Sequence, residues 1–447
     1  MCSKFINLKT ELTIFFMVIF TTTALNAQQR DTIRLTLDQA IAIALNDNIS
    51  VRMADEELQR VDYLKKENWY ALLPSVNAQA SYTNNIIKPV MFFDMGTGEP
   101  MKITIGYNNT TTFAGAVQLP VFSMALYKQI QISELDMKTA LESARSTKID
   151  LIEQVKNAFY GIVMSEESLS VLCSSYENAM ESAMNIKKMY ELGMASEYDK
   201  IRSEVAARNI APSLTQAENM LSLAKMQFNM LLSISLDTPI KVIGEFNRYQ
   251  EEILNYVPDL TYSFLWNSSL RTMDLNQQKL SKSFELIRSQ RYPTISASMS
   301  YNIQTQENEF TYAVPWVNSL SAGFTVSVPI FNKLSISLKE KQTRSSMKQL
   351  ELQKELLKTN LSLTAQNSIN EMIRAKKQLI SDREAVVQAT KGYEIAKVRY
   401  QTGSGTVLEL NDSEIALTTS RINLNQTIYN YLKAKNGLER ILGIDNK

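Results

Sequence analysis

Apolar residues recur along this chain with two periods, seven and two, and each period marks its own kind of element. The seven-residue register runs through Val155, Ile162, Leu169, Tyr176, Ala183 and Tyr190, and again through Ala365, Met372, Leu379, Val386, Tyr393 and Tyr400. It continues after a break in Ala207, Leu214, Leu221 and Phe228, and in Leu410, Leu417, Leu424, Tyr431 and Leu438. Heptads sustained this long predict helices packed on helices as coiled coils. From 125 to 191 there is no Pro and one Gly, Gly161, so a single helix of roughly 100 Å is predicted at about 1.5 Å per residue. Gly193 and Gly403 interrupt the two registers, which makes each the tip of a tall helical hairpin. The period of two appears in Ile295, Ala297, Met299, Tyr301 and Ile303, and in Ala322, Phe324, Val326 and Val328. It appears earlier in Val76, Ala78, Ala80 and Tyr82, and in Phe113, Val117 and Leu119. Polar residues fill the alternate positions, which suits a wall between two solvents or a half-buried soluble sheet. Alternation alone favours the soluble sheet.

The chain is written twice. LPSVNAQASY at 73–82 recurs as YPTISASMSY at 292–301, VQLPVF at 117–122 as VSVPIF at 326–331, and MYELG at 189–193 as RYQTG at 399–403. Glu204 and Ala206 likewise match Glu414 and Ala416, and all offsets lie between 209 and 219. Ordered matches at a near-constant offset predict a duplication. The first repeat is 28–250, with strands about 74–84 and 111–121 and a tip near 193. The second is 251–447, with strands about 293–304 and 321–331 and a tip near 403. Thr36 and Gln39 form a capping box that opens the first helix, whose apolar face is Leu37, Ala40, Ile41, Ala44 and Leu45.

The amino terminus predicts the compartment. Lys4 and Lys9 precede an apolar run at 12–20, and TTTALNA follows at 21–27. This is the layout of a signal peptide at 1–27, cut near Ala27. The run is shorter than the roughly 20 residues a membrane helix needs, and no later stretch is longer and apolar enough. Cys2 precedes the apolar run, which argues against a lipid anchor at the cut. Cys173 then remains alone, with no internal disulfide partner.

Composition removes several function classes. Lys and Arg number 47 against 46 Asp and Glu, a net charge of +1, so a nucleic-acid binder's basic surplus is missing. With no histidine, Ser–His and Cys–His catalysis and His-bearing metal sites are excluded. No cofactor site and no catalytic residue is predicted. A pair of carboxylates acting in hydrolysis is the one enzymatic arrangement left formally open. Only 13 Gly and 10 Pro favour long unbroken elements.

Taken together, the patterns favour a membrane wall. Four strands cannot close a barrel, for which about eight is the smallest number, and an open sheet exposes two edges. Several copies sharing one barrel remove that hazard. Tyr82, Phe113, Tyr301 and Trp316 lie near strand ends, as interfacial aromatics do, and a leader without a membrane helix completes the pattern of a Gram-negative outer-membrane protein.

With the LTLDQAI opening at 35–41, the doubled Pro-Ser and Pro-Thr strand starts and the two Tyr-x-x-Gly tips, the chain resembles the TolC-type outer-membrane efflux proteins over essentially its whole mature length. The resemblance implies α plus transmembrane β architecture. A duplicated helix–strand–strand–long hairpin would form a trimeric 12-stranded β-barrel continuous with a 12-helix periplasmic α-barrel. The segment from about 236 to 258 would be a belt around the helical tunnel. The implied function is a passive trimeric exit duct of a tripartite efflux or secretion system, carrying drugs and toxic small molecules from periplasm to exterior. The implied partners are two further copies, outer-membrane lipid, a periplasmic adaptor (membrane fusion protein) and an inner-membrane pump of resistance-nodulation-division or ABC type. A periplasmic coiled-coil adaptor or tether without a pore is the competing reading; it explains the heptads but not the paired strands.

The resemblance also assigns residues. Gly193, Met194, Ala195 and Ser196 at one tip, and Gly403, Ser404, Gly405 and Thr406 at the other, match adaptor-docking positions. Asp199, Tyr400, Glu409 and Asp412 match the periplasmic aperture and its gate. Glu409 and Asp412 are spaced i, i+3, so a trimer would carry two rings of three acids that attract cations. Acids in a helix's first turn also complement its dipole. Gly405 stands where the best-known member of the family has an arginine gate partner, so the lock is expected to be weaker or built differently. GSG at 403–405 is no phosphate loop, since no Gly-Lys-Ser/Thr follows.

Overall fold

The computed structural model describes residues 32–93, 101–244, 246–256, 262–309, 315–331 and 334–444. The expected leader at 1–27, with Lys4, Lys9 and Cys2, lies outside the described residues, as does Pro258 at the end of the expected belt. In chain order the elements are β1 (Ile33–Leu35), α1 (Leu37–Asp47), α2 (Ile49–Tyr70), β2 (Ser75–Asn84), β3 (Val90–Phe93), β4 (Met101–Thr104), β5 (Asn109–Phe122), α3 (Met124–Glu191) and α4 (Glu197–Leu231). There follow β6 (Ile240–Val242), α5 (Phe246–Asn255), α6 (Ser268–Ser289), β7 (Thr294–Glu307), β8 (Val317–Ser327), α7 (Ser335–Gln401) and α8 (Val407–Leu442). Helix, strand pair and long helical pair therefore occur twice in the same order. The long helices α3 and α7 have 68 and 67 residues.

Two compact units form, and neither coincides with a sequence half. One comprises Met53–Thr147 with Phe264–Ser362, the other Met1–Arg52, Lys148–Ser263 and Leu363–Lys447.

The first unit holds a four-stranded antiparallel sheet in the order β2-β5-β7-β8. Its register aligns the period-two pattern across all four strands. Val76, Val117, Met299 and Ala322 stand in one row, and Ala78, Gly115, Tyr301 and Leu320 in the next but one. Between them lies the row Asn77, Ala116, Ser300 and Ser321, on the other face, where the two serine hydroxyls are 2.8 Å apart. One face is thus apolar and the other small and polar. The apolar face is open to solvent in the single chain: Val76 is 75% and Phe324 79% exposed. Phe113 and Trp316 pack with ring centroids 5.7 Å apart.

Three departures from the expected strands have physical causes. β5 carries a bulge at Pro120–Phe122, because Pro120 in an interior strand has no N–H for the ladder. β8 occupies 317–327 rather than 321–331. Its last partner is Thr294, the residue after Pro293, so residues 328–331 run on beyond the end of β7. The 24-residue connection from β2 to β5 contains a small hairpin, β3 paired with β4, for which the short apolar runs gave no periodic signal.

In the second unit β1 pairs parallel with β6 (Ile33↔Ile240, Leu35↔Val242). The Thr36–Gln39 capping box is present in both directions. The heptad residues Val155, Ile162, Ala365, Met372, Leu379 and Ala207 are buried with Phe159, Phe228 and Ile428. Gly244 lies against this core: a Cβ there would stand 3.1 Å from Phe159 Cε1 and 3.3 Å from Val163 Cγ2. Among the described residues no helix is long and apolar enough to cross a membrane.

Candidate functional site

Both hairpin tips lie in the second unit and share one backbone design. At the first, α3 ends in Gly193 with φ +73°. Gly193 N–H donates to the Tyr190 carbonyl at 2.9 Å and Met194 N–H to the Met189 carbonyl at 2.7 Å. At the second, Gly403 has φ +75°, its N–H donates to Tyr400 at 3.1 Å, and Ser404 N–H donates to Arg399 at 2.9 Å. These are paired Schellman closures, and the left-handed residue explains the glycine at each. The outgoing helices are capped alike. Ser196 Oγ accepts from Asp199 N–H at 3.1 Å and donates to the Asp199 carboxylate at 2.7 Å, while Thr406 Oγ1 accepts from Glu409 N–H at 3.2 Å. Each acid therefore sits in a first helical turn, where the dipole favours it.

One pair of corresponding positions at which the tips differ brings charge across the second turn. Where the first has Met189 and Asp199, the second has Arg399 and Glu409. The Arg399 guanidinium lies 3.4 Å from the Glu409 carboxylate and donates to the Ser404 carbonyl at 3.1 Å. Both partners are about half exposed, so the pair contributes at most about 1 kcal/mol. It nevertheless clasps the two arms of the turn. The turn packs tightly at Gly405: a Cβ there would meet Arg399 Cβ at 3.0 Å and the Tyr400 nitrogen at 3.2 Å. Arg399, six residues before Gly405, is thus aimed within its own hairpin.

Gly193, Met194, Ser196, Gly403, Ser404 and Thr406 are exposed, and Ala195 and Gly405 half-buried. The Tyr400 hydroxyl donates to Met189 Sδ at 3.9 Å, which joins the second hairpin to the first. Its pKa is raised by burial first and by the Asp199 carboxylate second, so the structure brings these two predicted residues into electrostatic reach. Glu409 and Asp412 are both exposed on α8. Glu409 faces Arg399, whereas Asp412 lines a groove of about 530 Å³ between α3, α4 and α8.

That groove contains a residue that the sequence pattern did not mark as functional. Glu414 is only 6% exposed, and its Oε1 has no hydrogen-bond partner. Burial pushes its carboxyl up to about 7, against smaller opposing effects of the Asn178 amide and the Lys397 charge. Arg399 was missed because an arginine in a helix's last turn is ordinary dipole chemistry. Glu414 carried a readable signal, since it lies four residues after Leu410 and three before Leu417, on the seam of the α8 heptads. Among the described residues no group of His, Cys, Asp or Glu side chains is placed to hold a metal ion.

Residues 265–444 match the family model of the outer membrane efflux proteins. No curated protein matches the chain. Among solved structures, it is similar to the CmeC outer membrane channel of Campylobacter jejuni (13% identity, 91% of this chain and 85% of that one, TM-score 0.72). It is also similar to the outer membrane protein VceC of Vibrio cholerae (14%, 91% and 96%, 0.71). A third likeness is to the MtrE outer membrane channel of Neisseria gonorrhoeae in its open state (15%, 91% and 88%, 0.68). At these identities the likeness shows a shared fold over nearly the whole chain.

Two outcomes follow from the site. Gly405→Ala should strain the second tip by roughly 1 kcal/mol or more and speed tryptic cleavage after Arg399 several-fold. Gly392→Ala, in α7 with open space around it, should leave that rate unchanged; equal rates for Gly405→Ala and the parent would contradict the fit. For Glu414, the folded carboxyl keeps its proton to about 7, whereas an ordinary glutamate releases it near 4.5. The folded protein therefore binds more protons in that window, and stability falls as pH rises through it. Glu414→Gln should raise unfolding stability at pH 8 by on the order of 2 kcal/mol and by almost nothing near pH 4.5; an equal gain at both would refute the burial account.

Proposed function

We propose, from the match of residues 265–444 to the outer membrane efflux protein model and from the fold shared with solved outer-membrane channels, that this chain is the passive exit duct of a tripartite pump. The protein is an outer-membrane efflux channel. In the finer reading, three copies each contribute the β2-β5-β7-β8 sheet to a 12-stranded barrel and their long hairpins to a 12-helix periplasmic tunnel. Small molecules reach it from an inner-membrane pump, and an adaptor docks on the tips at 193–196 and 403–406.

One observation carries this reading over a pore-free tether: the sheet has one apolar face, one polar face and two edge strands, β2 and β8, whose outer edges are unpaired among the described residues. A tether has no use for an exposed apolar sheet. In the duct, the apolar rows meet lipid, the polar rows face water, and neighbouring copies pair the edges.

Asp412, with Asp199 and Tyr400, forms the aperture group of this proposal, and Glu409 belongs to it in a reduced role because Arg399 neutralises it. The resemblance implies two acid rings, and the Arg399–Glu409 pair supports giving them unequal weight. In bilayers reconstituted with the purified protein, Asp412→Asn should lower cation preference and cation block more than Glu409→Gln does. Unchanged selectivity in the double variant would remove the ring assignment, and an absence of discrete conductance steps from the parent would remove the duct.

A further inference from the structure

The groove between α3, α4 and α8 is built like a ligand site. Its volume, about 530 Å³, falls in the range of drug-sized pockets. Leu172, Val205, Ile210 and Ile415 line it with apolar surface, and Asp412 and Glu414 add two acids. Glu414 is more than nine-tenths buried, with Oε1 unpartnered. A buried carboxylate oxygen without a donor is costly, and its natural complement is a cationic N–H.

The protein's own cations do not fill that role. Arg202, on the groove wall, donates to the Tyr198 hydroxyl at 2.7 Å and lies 5.8 Å from that ring's centroid. From α7, Lys397 acts on Glu414 only as a secondary charge, and it lines a different cavity with Tyr393 and the α3 acid Glu181. Within the groove the formal charge is therefore two acids against one arginine already occupied elsewhere.

We propose that this groove is a binding site for an amphiphilic organic cation, whose ammonium pairs with the Glu414 carboxylate while its apolar body rests on Leu172, Val205, Ile210 and Ile415. Asp412 at the same groove adds a second negative charge to the ammonium's surroundings. The inference goes beyond the duct reading and stands separately from it, since binding is measured without conductance.

The test is a fluorescence titration of the full-length protein in lipid nanodiscs with dansylcadaverine, a primary amine on an apolar fluorophore. Saturable binding is expected at pH 8. It should weaken at least tenfold in Glu414→Gln, and also in the parent at about pH 5.5, where Glu414 holds its proton. The N-acetylated, uncharged analogue should fail to compete, and Val205→Trp should abolish the saturable signal by filling the groove with Glu414 left in place. Absence of saturable binding in the parent overturns the proposal. So does equal affinity in Glu414→Gln, or equal competition by the uncharged analogue, either of which reduces the signal to partition into lipid. Conductance steps in bilayers remain as the separate measure of the duct.

Discussion

Backbone hydrogen bonding at two strand edges is the constraint on which the rest depends. β2 and β8, of ten and eleven residues, end the sheet order, and roughly every second residue of an edge strand aims its N–H and C=O outward. In hydrocarbon each such group left unpaired costs several kcal/mol. A sheet whose apolar rows suit lipid but whose edges do not can enter a bilayer only if other strands complete it. On the proposed reading, short amphipathic strands, their antiparallel order and the duplicated layout all serve that closure, and assembly is a condition of membrane insertion.

The helical unit answers a different demand, that of holding long helices together and turning them back. Heptad residues such as Val155, Ile162, Met372 and Leu379 bury their side chains, and the two Schellman turns reverse direction with a left-handed glycine each. Departures from this regularity are few and chemically pointed. Arg399 and Glu409 close one tip, Met189 and Asp199 leave the other without a charge pair, and Glu414 places a carboxyl on a seam where leucine would pack.

Much of this was legible because periodicity survives in sequence. The heptads located α3, α4, α7 and α8, the alternation at 76–82 and 295–303 located β2 and β7, and Gly193 and Gly403 marked the turns through their backbone requirement. What escaped were properties of pairing and depth. The register of β8 depends on where β7 begins after Pro293, and the β3–β4 hairpin lacks a periodic stripe. The Arg399–Glu409 pair spans ten residues across a turn, so no helical spacing rule finds it. Glu414 matched Glu204 in the repeat, yet nothing in the match says that one of the two acids is buried and partly unpaired.

Cysteine cross-linking between the edge strands addresses the central claim most directly. In a Cys173→Ser background, Ala78→Cys in β2 is combined in turn with Leu320→Cys, Ala322→Cys or Phe324→Cys in β8, and outer membranes are oxidised before non-reducing electrophoresis. Completion of the sheet by neighbouring copies predicts, for one of these pairs, a covalent ladder that stops at three chains and is lost on reduction. A disulfide that forms within a single chain, leaving only a compact monomer band, would show that one copy seals its own sheet and would contradict the account.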